Sequence, residues 1–285
     1  MNGVSVIIPA LNEEKAIGMV IDQIKESLKK TSRELEIIVV DDGSTDKTSE
    51  IAKSKHAHVI RHPIPGGYGL SLRDGIFKAK HNSLVIIDAD GSYPAEKIPS
   101  FVDALEEFDM VIGARTGSIY KQSLIKYPLR KIFQLLCEFV TGVNIPDVNS
   151  GLRAFRKDVV MKFKENYCLG FSFTTTITLA FHLNGHFVKY VPIEYYQRVG
   201  KSHVRLFKDT LRATQIITQA ILFYNPIKLF LLLTMSFLMI AVIAFGFYFV
   251  NPTEFALMLG QSFMIVGFLF FGIGLLADTI RQTRK

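Results

Sequence analysis

The sequence predicts an α/β domain on a mostly parallel sheet, followed by two membrane-spanning helices. Three observations carry this reading. Short aliphatic runs alternate with amphipathic segments from residue 1 to about 115. Acidic residues lie directly or within five residues beyond three of those runs. Two C-terminal stretches, Leu229–Val250 and Phe255–Ala277, hold 22 and 23 residues without a charge. Strand–helix–strand alternation implies crossover connections, hence parallel strands covered on both faces.

The elements follow in chain order. Val4–Ile8 reads as a first strand, and Ile17, Val20, Ile21, Ile24 and Leu28 then recur at helical spacing. Glu36–Val40 is a second strand, and Ser44-Thr45-Asp46 caps a helix running to about Lys53. His58–Arg61 is a third strand, followed by a helix at Tyr68–Lys80. Leu84–Ile87, a helix at Ala95–Glu107 and Met110–Ile112 complete the alternation. Gly66-Gly67-Tyr68-Gly69 lacks the Gly-Lys-Ser/Thr of a phosphate loop, so its glycines are read as allowing close backbone approach before a helix.

The C-terminal stretches predict helices over about 227–250 and 255–277, each able to cross the roughly 30 Å hydrocarbon core. Asn251–Glu254 leaves only a tight connection, so the pair forms a hairpin. Arg205, Lys208, Arg212 and Lys228 precede it, Arg281, Arg284 and Lys285 follow it, and the turn has no Lys or Arg. The positive-inside rule then puts both termini and the N-terminal domain in the cytoplasm, with a prokaryotic plasma membrane the expected location. The chain opens directly into VSVIIPA, a strand rather than a secretory leader. From His203 to about Phe223, Arg205, Lys208 and Arg212 lie on one helical face and Val204, Phe207, Leu211 and Ile221 roughly opposite. That pattern predicts an interfacial helix that places the catalytic rim against the membrane. The expected parts are residues 1–202, an interfacial helix at 203–226, and the hairpin with a short tail at 227–285.

The net charge of +7 suits an anionic membrane surface better than nucleic acid, because six Lys or Arg gather between Arg198 and Phe230 beside the hairpin. Cys137 and Cys168 have no metal-ligand or redox spacing, and are expected to be buried free thiols in a reducing compartment.

Ligands of parallel α/β sheets sit beyond the carboxyl ends of the strands. Here those ends deliver Pro9-Ala10-Leu11-Asn12-Glu13, Asp41-Asp42-Gly43-Ser44 and Asp88-Ala89-Asp90. Carboxylates that repel one another are tolerable together around a divalent cation, and hard oxygen ligands suit Mg²⁺ or Mn²⁺. Such an ion in turn suits a pyrophosphate.

The stretches VSVIIPALNEE, IIVVDDGSTDKT, VIIDADGSYP, VIGAR, DVNSGLRAFRKDV and QRVGKSHVR span residues 4 to 205. Together they resemble family 2 glycosyltransferases of the Rossmann-like GT-A fold. More narrowly, they resemble the dolichol-phosphate mannose synthase and polyprenyl-phosphate glycosyltransferase group. The resemblance implies a nucleotide-sugar donor, a polyprenyl or dolichyl phosphate acceptor, and inverting, metal-dependent transfer. It places the donor on Pro9, Leu11, Asn12, Glu13, Asp41, Asp42, Asp88, Ala89 and Asp90, and the metal on Asp88 and Asp90. Ser92 stands where mannose synthases often carry a metal-binding Gln, which leaves the third ligand and the sugar open. Arg115 and Arg130 would grip the lipid phosphate, and Arg198 and Lys201 the departing nucleoside diphosphate. Asp147, Asn149 and Arg153 would lie on a segment facing the reaction centre. Asp147 as a general base is the lesser alternative, since an acceptor phosphate with a second pKa near 6 is already largely a dianion.

Two rivals stand beside this reading. One is a membrane-bound transferase acting on a glycolipid or polysaccharide, although the absence of Trp excludes the Gln-x-x-Arg-Trp motif of processive synthases. The other is a non-catalytic membrane adaptor that binds nucleotide. The sugar, the base, the lipid length and the oligomeric state, a homo-oligomer included, stay open.

Overall fold

A computed structural model describes residues 3–117, 126–166, 173–199, 215, 218–219, 222 and 225–283, with side chains at 126–130 and 165–166 excepted. The predicted apolar runs form the middle of a seven-stranded sheet. The strands are β1 (Gly3–Ala10), β2 (Glu34–Asp41), β3 (His58–Arg61), β4 (Ser83–Ile86), β5 (Met110–Thr116), β6 (Arg153–Arg156) and β7 (Val188–Glu194), in the order β3-β2-β1-β4-β6-β5-β7. All pairings are parallel except those of β6, which runs antiparallel to both β4 and β5. The mostly parallel α/β class predicted from sequence is therefore the class observed.

Burial explains which runs were legible. All eight residues of β1 are buried, and so are all four of β4, so both read as continuous apolar stretches. β6 and β7 carry no such signal. β6 begins and ends on arginine, and only Ala154 and Phe155 between them are apolar. β7, at the sheet edge, has charges at Lys189 and Glu194 and buries only Ile193.

Helices α1 (Ile17–Leu28), α2 (Thr48–Ser54), α3 (Tyr68–Lys78) and α4 (Ile98–Ala104) cover the sheet. α1 buries Ile17, Val20, Ile21, Ile24 and Leu28, the set its spacing predicts. The expected helix from Ala95 opens as a 3₁₀ turn, Ala95–Lys97, before α4. α2 starts at Thr48, later than the Ser44–Asp46 cap implies, and the Asp46 carboxylate accepts the Thr48 N–H at 3.0 Å. Two further helices, α5 (Lys126–Thr141) and α6 (Phe173–Leu183), flank β6 in sequence. Cys137 is buried and free; Cys168 lies outside the described residues.

The chain divides into two compact units between Thr214 and Gln215. The interfacial helix expected over 203–226 falls almost wholly outside the described residues, as do Lys201, Arg205, Lys208 and Arg212. The second unit holds α7 (Pro226–Val250) and α8 (Glu254–Thr283), both long and apolar enough to cross a membrane. α8 runs past the expected Ala277 because its last turn is polar but still helical: Asp278 accepts from Arg281 Nε at 3.0 Å and from Gln282 at 2.7 Å. Gly260, Gly267 and Gly274 recur every seven residues on α8 and lie against Phe245, Leu238 and Phe230 of α7. Without side chains at those points the two backbones approach closely. Phe237 stacks on Phe270 at 5.2 Å and on Phe263 at 5.8 Å. Met235, Val242, Phe249, Phe255 and Leu276 remain exposed. An outward apolar surface of this size needs lipid or a partner to cover it.

Candidate active site

The sheet register gathers the sequence-predicted residues on one rim. β6 starts where β4 ends, with Ile86 paired to Arg153, so the 147–151 loop lies beside the segment that carries Asp88 and Asp90. β5 continues past that pairing to Arg115 and Thr116, alongside the end of β7. The chain leaving β7 then returns along the acidic loop: Tyr196 N–H donates to the Ser92 carbonyl and Val199 N–H to the Asp90 carbonyl, both at 3.0 Å. Arg198 is delivered to Asp90 in this way.

The first two loops are joined by hydrogen bonds. Ser44 Oγ accepts from Asn12 N–H at 2.9 Å, Asn12 Oδ1 accepts from Thr45 N–H at 2.9 Å, and Thr48 Oγ1 accepts from Glu13 N–H at 2.9 Å. Asn12 adopts φ 55°, a left-handed conformation that Asn tolerates better than most residues. Pro9 is buried within β1 and Leu11 is half-buried just after it. Asp41 is fully buried. One of its oxygens accepts from Ser44 N–H at 2.8 Å and the other from the Ser49 hydroxyl. Asp42 is buried too, and its carboxylate accepts from Gly66 N–H and Gly67 N–H, each at 2.8 Å, with His62 Nδ1 at 2.7 Å. The glycine run before α3 therefore directs its amides at a carboxylate of the chain itself.

Around the acidic pair, Ala89 and Asp90 are buried and Asp88 is partly buried. Ser92 directs both its N–H and its hydroxyl to Asp90 Oδ1. Ser92 thus orients Asp90. Asp90 Oδ2 meets Arg198 at 3.0 Å, and the same guanidinium nitrogen lies 3.7 Å from Glu13. Arg198 Nε is buried and has no hydrogen-bond partner among the described residues. A buried donor left without an acceptor costs about 1–3 kcal/mol, and an anionic ligand oxygen would satisfy it.

The charges are unevenly balanced. Burial, and next the Asp90 charge, raise Glu13 to about 7. Burial and Asp90 likewise raise Asp88 to about 6. Glu13, Asp88 and Asp90 therefore form one field of negative charge that Arg198 offsets only in part. A folded-state value above the ordinary carboxylate range means that ionised Glu13 disfavours the fold, so the stability present below the ordinary value of 4.5 is lost as pH rises from there to about 7 and changes little beyond it. In EDTA, Glu13→Gln is expected to melt near the wild type at about pH 4.5, increasingly above it up to about pH 7, and by a nearly constant margin from there to about pH 8. A difference that stays constant from about pH 4.5 to about pH 7, measured by thermal unfolding, would contradict this.

On the other side of the rim, Arg115 makes a two-pronged pair with Asp147. Nε donates to Oδ2 at 2.7 Å and Nη2 to Oδ1 at 2.9 Å, and the Arg115 backbone N–H adds a third contact at 3.2 Å. Its guanidinium also sits 5.5 Å from the centre of the Tyr195 ring. Although burial alone would raise Asp147, Arg115 and the backbone hydrogen bonds hold its carboxyl below the usual range. Asn149 accepts from Thr175 Oγ1 at 2.6 Å.

Arg153 corrects one expectation. It is fully buried, so its guanidinium is not open to a substrate. It donates to the carbonyls of Val148, Ser150 and Thr174 and to Thr178 Oγ1, at 2.9 to 3.2 Å. It fastens the 147–151 loop to α6 from inside. The side chain of Arg130, on α5, and all of Lys201 lie outside the described residues.

Among the described residues, no three His, Cys, Asp or Glu side chains group to hold a metal. Asp88 and Asp90 nevertheless fit a hard divalent cation. Mg²⁺ is commonly bound through one or two carboxylates plus water and substrate phosphates.

The same fold is seen in glucosyl-3-phosphoglycerate synthase from Mycobacterium tuberculosis, solved with Mn²⁺, uridine diphosphate and phosphoglyceric acid. That structure matches with a TM-score of 0.60 at 24% identity, over 77% of this chain and 78% of the other. The fold is thus of the GT-A type. Residues 5–163 match the family described as Glycosyl transferase family 2. The chain belongs to that family and is a glycosyltransferase. Among its relatives is the dolichyl-phosphate hexose transferase of Haloferax volcanii, 30% identical over 71% of this chain and 87% of that protein. Another is the undecaprenyl-phosphate 4-deoxy-4-formamido-L-arabinose transferase of Photorhabdus laumondii subsp. laumondii, 31% identical over 55% of this chain. The chain aligns with half of that second relative's length (50%).

Sequence reasoning missed Tyr68, Tyr93, Tyr195 and Gly151 as parts of the site. Tyr68 donates its hydroxyl to Asp88 Oδ1 at 2.9 Å, and Tyr93 accepts the Gly151 N–H at 2.7 Å. Tyr93 and Tyr195 meet edge to face at 5.3 Å. The Tyr68 signal stood in the quoted glycine run, but only the sheet order brings that run to Asp88.

Proposed function

We propose that the protein transfers a monosaccharide from a UDP- or GDP-sugar to a polyprenyl or dolichyl phosphate at the cytoplasmic face of a membrane, inverting the anomeric centre with Mg²⁺ or Mn²⁺. The observation that carries this is Arg198. One of its nitrogens is on Asp90, while its buried Nε has no acceptor among the described residues, in a site otherwise rich in carboxylates. That is an arrangement for a diphosphate. The membrane-length helices and the printed names of both relatives favour a lipid phosphate as acceptor.

Asp88 and Asp90 would hold the cation, which when bound neutralises diphosphate charge as the sugar departs. Ser92 keeps Asp90 oriented, which leaves the remaining coordination positions to water or substrate. Arg198, with Lys201, stabilises the nucleoside diphosphate that leaves. Arg115, held by Asp147, is the fixed cation on the acceptor side, and Arg130 joins it there. A phosphate oxygen attacks the anomeric carbon as the bond from that carbon to the diphosphate oxygen breaks. The acceptor is already a dianion, so no proton has to be removed. Asp147, lowered and paired, orients Arg115 and does not act as a base.

Asp147→Asn should therefore raise the KM for lipid phosphate roughly tenfold or more through misplacement of Arg115, with a smaller change in kcat. Loss of kcat at unchanged KM, together with loss of an ionisation from the pH–rate profile, would instead make Asp147 a base. The function itself is tested by incubating the full chain in vesicles with UDP- and GDP-sugars, short and long polyprenyl phosphates, and Mg²⁺ or Mn²⁺. The expected product is a lipid-linked sugar released by mild acid, formed with stoichiometric nucleoside diphosphate. An acid-resistant product would favour a glycolipid acceptor, and binding without turnover an adaptor.

A further inference from the structure

We infer that Tyr68 is a positioning residue for the metal-site carboxylate Asp88, working with Gly151 to fix how that carboxylate meets the cation. The inference rests on the functional reading above, in which Asp88 is a metal ligand.

Tyr68 occupies the first position of α3, directly after Gly67, whose φ of 100° requires glycine. This turn is held at several points. Both glycine amides bind the Asp42 carboxylate, Asp42 is bound by His62 Nδ1, and His62 Nε2 lies 3.2 Å from Asp74 Oδ2, on α3 itself. A tyrosine fixed at its backbone in this way has little freedom in where its hydroxyl lands. It lands on Asp88 Oδ1.

Asp88 is confined on its other side by Gly151. A Cβ at that position would fall inside the contact distance of both carboxylate oxygens. The Gly151 backbone is itself fixed, by its N–H to Tyr93 and by Arg153 on the neighbouring Ser150 carbonyl. Asp88 is therefore held between a donor and a backbone wall. With Oδ1 occupied by the phenol, the carboxylate is predisposed to give a cation one oxygen instead of two. Partners that orient a metal-binding carboxylate typically contribute 10- to 100-fold in metal affinity.

The probe is Mn²⁺ alone, titrated into the full chain in detergent and followed by its electron paramagnetic resonance signal. Tyr68→Phe keeps the ring and removes only the hydroxyl. It is expected to weaken Mn²⁺ binding roughly tenfold with a melting temperature close to wild type. Gly151→Ala, which crowds Asp88 from the opposite side, is expected to weaken it at least as much. A role in packing alone would lower the melting temperature and leave the Mn²⁺ affinity unchanged. Wild-type binding that persists within twofold in Tyr68→Phe would overturn this inference and leave the functional reading standing. No Mn²⁺ binding by the wild type, with or without nucleoside diphosphate, would overturn both.

Discussion

Asp90→Asn is expected to reduce sugar transfer by about a thousandfold or more, a loss of roughly 4 kcal/mol of transition-state stabilisation. Three functions meet on this side chain. One oxygen orders Ser92, the other pairs with Arg198, and the pair Asp88 and Asp90 supplies the proposed cation site. An asparagine can retain the oxygen that Ser92 binds. Its amide, however, turns donors toward Arg198 and withdraws the charge on which the site depends. The melting temperature should stay within a few degrees of wild type, because the hydrogen bonds within the loop survive. Residual activity above a tenth of wild type, with the metal present and the fold intact, would separate Asp90 from the chemistry.

Arg153→Leu is expected to cause the largest loss of stability of any single change near the site. Arg153 is fully buried and directs five hydrogen bonds to three carbonyls and a hydroxyl. Leucine leaves the Val148 and Ser150 carbonyls without this donor, each costing about 1–3 kcal/mol unless water enters, while the Thr174 carbonyl keeps the Thr178 hydroxyl. The catalytic unit should melt roughly 10 °C lower or more, at about 2–4 °C per kcal/mol for a domain of this size. Arg153→Lys should recover little, since one ammonium cannot span acceptors on both the 147–151 loop and α6. Activity should fall with stability, because that loop carries Asp147 and Gly151. A melting temperature within 2 °C of wild type for Arg153→Leu would show that the loop is fastened by other contacts.

The contrast between these two residues explains what could be read in the sequence. Asp90 announced itself because an acid after a buried apolar run is costly unless something offsets it, and β4 is such a run. The same logic exposed Glu13, Asp41 and Asp42 at the ends of β1 and β2. It did not separate their roles: Asp41 and Asp42 hold backbone amides and hydroxyls, whereas Glu13 meets Arg198. Arg153 was expected, by resemblance only, on a segment facing the reaction centre, and its burial was not legible because arginine is rarely fully buried without a partner. Its four acceptors come from one loop and one helix about 25 residues apart in sequence, and no local pattern predicts their convergence. β6 was hidden because those two arginines frame it, and an antiparallel insertion between parallel strands leaves no periodic mark. Gly151 depended on that same insertion, because the register of β6 against β4 sets it beside Asp88, whereas Tyr68 depended on the order of the sheet.

The account as a whole rests on the acidic rim making diphosphate binding depend on a divalent ion. The direct measurement is calorimetric titration of the full chain with UDP and with GDP, in Mn²⁺ and in EDTA. One of the two nucleotides should bind at a single site in Mn²⁺ and at least tenfold more weakly in EDTA, and Asp90→Asn should remove that difference. Equal affinity in Mn²⁺ and EDTA, or an Asp90→Asn variant that keeps the wild-type dependence, would contradict it.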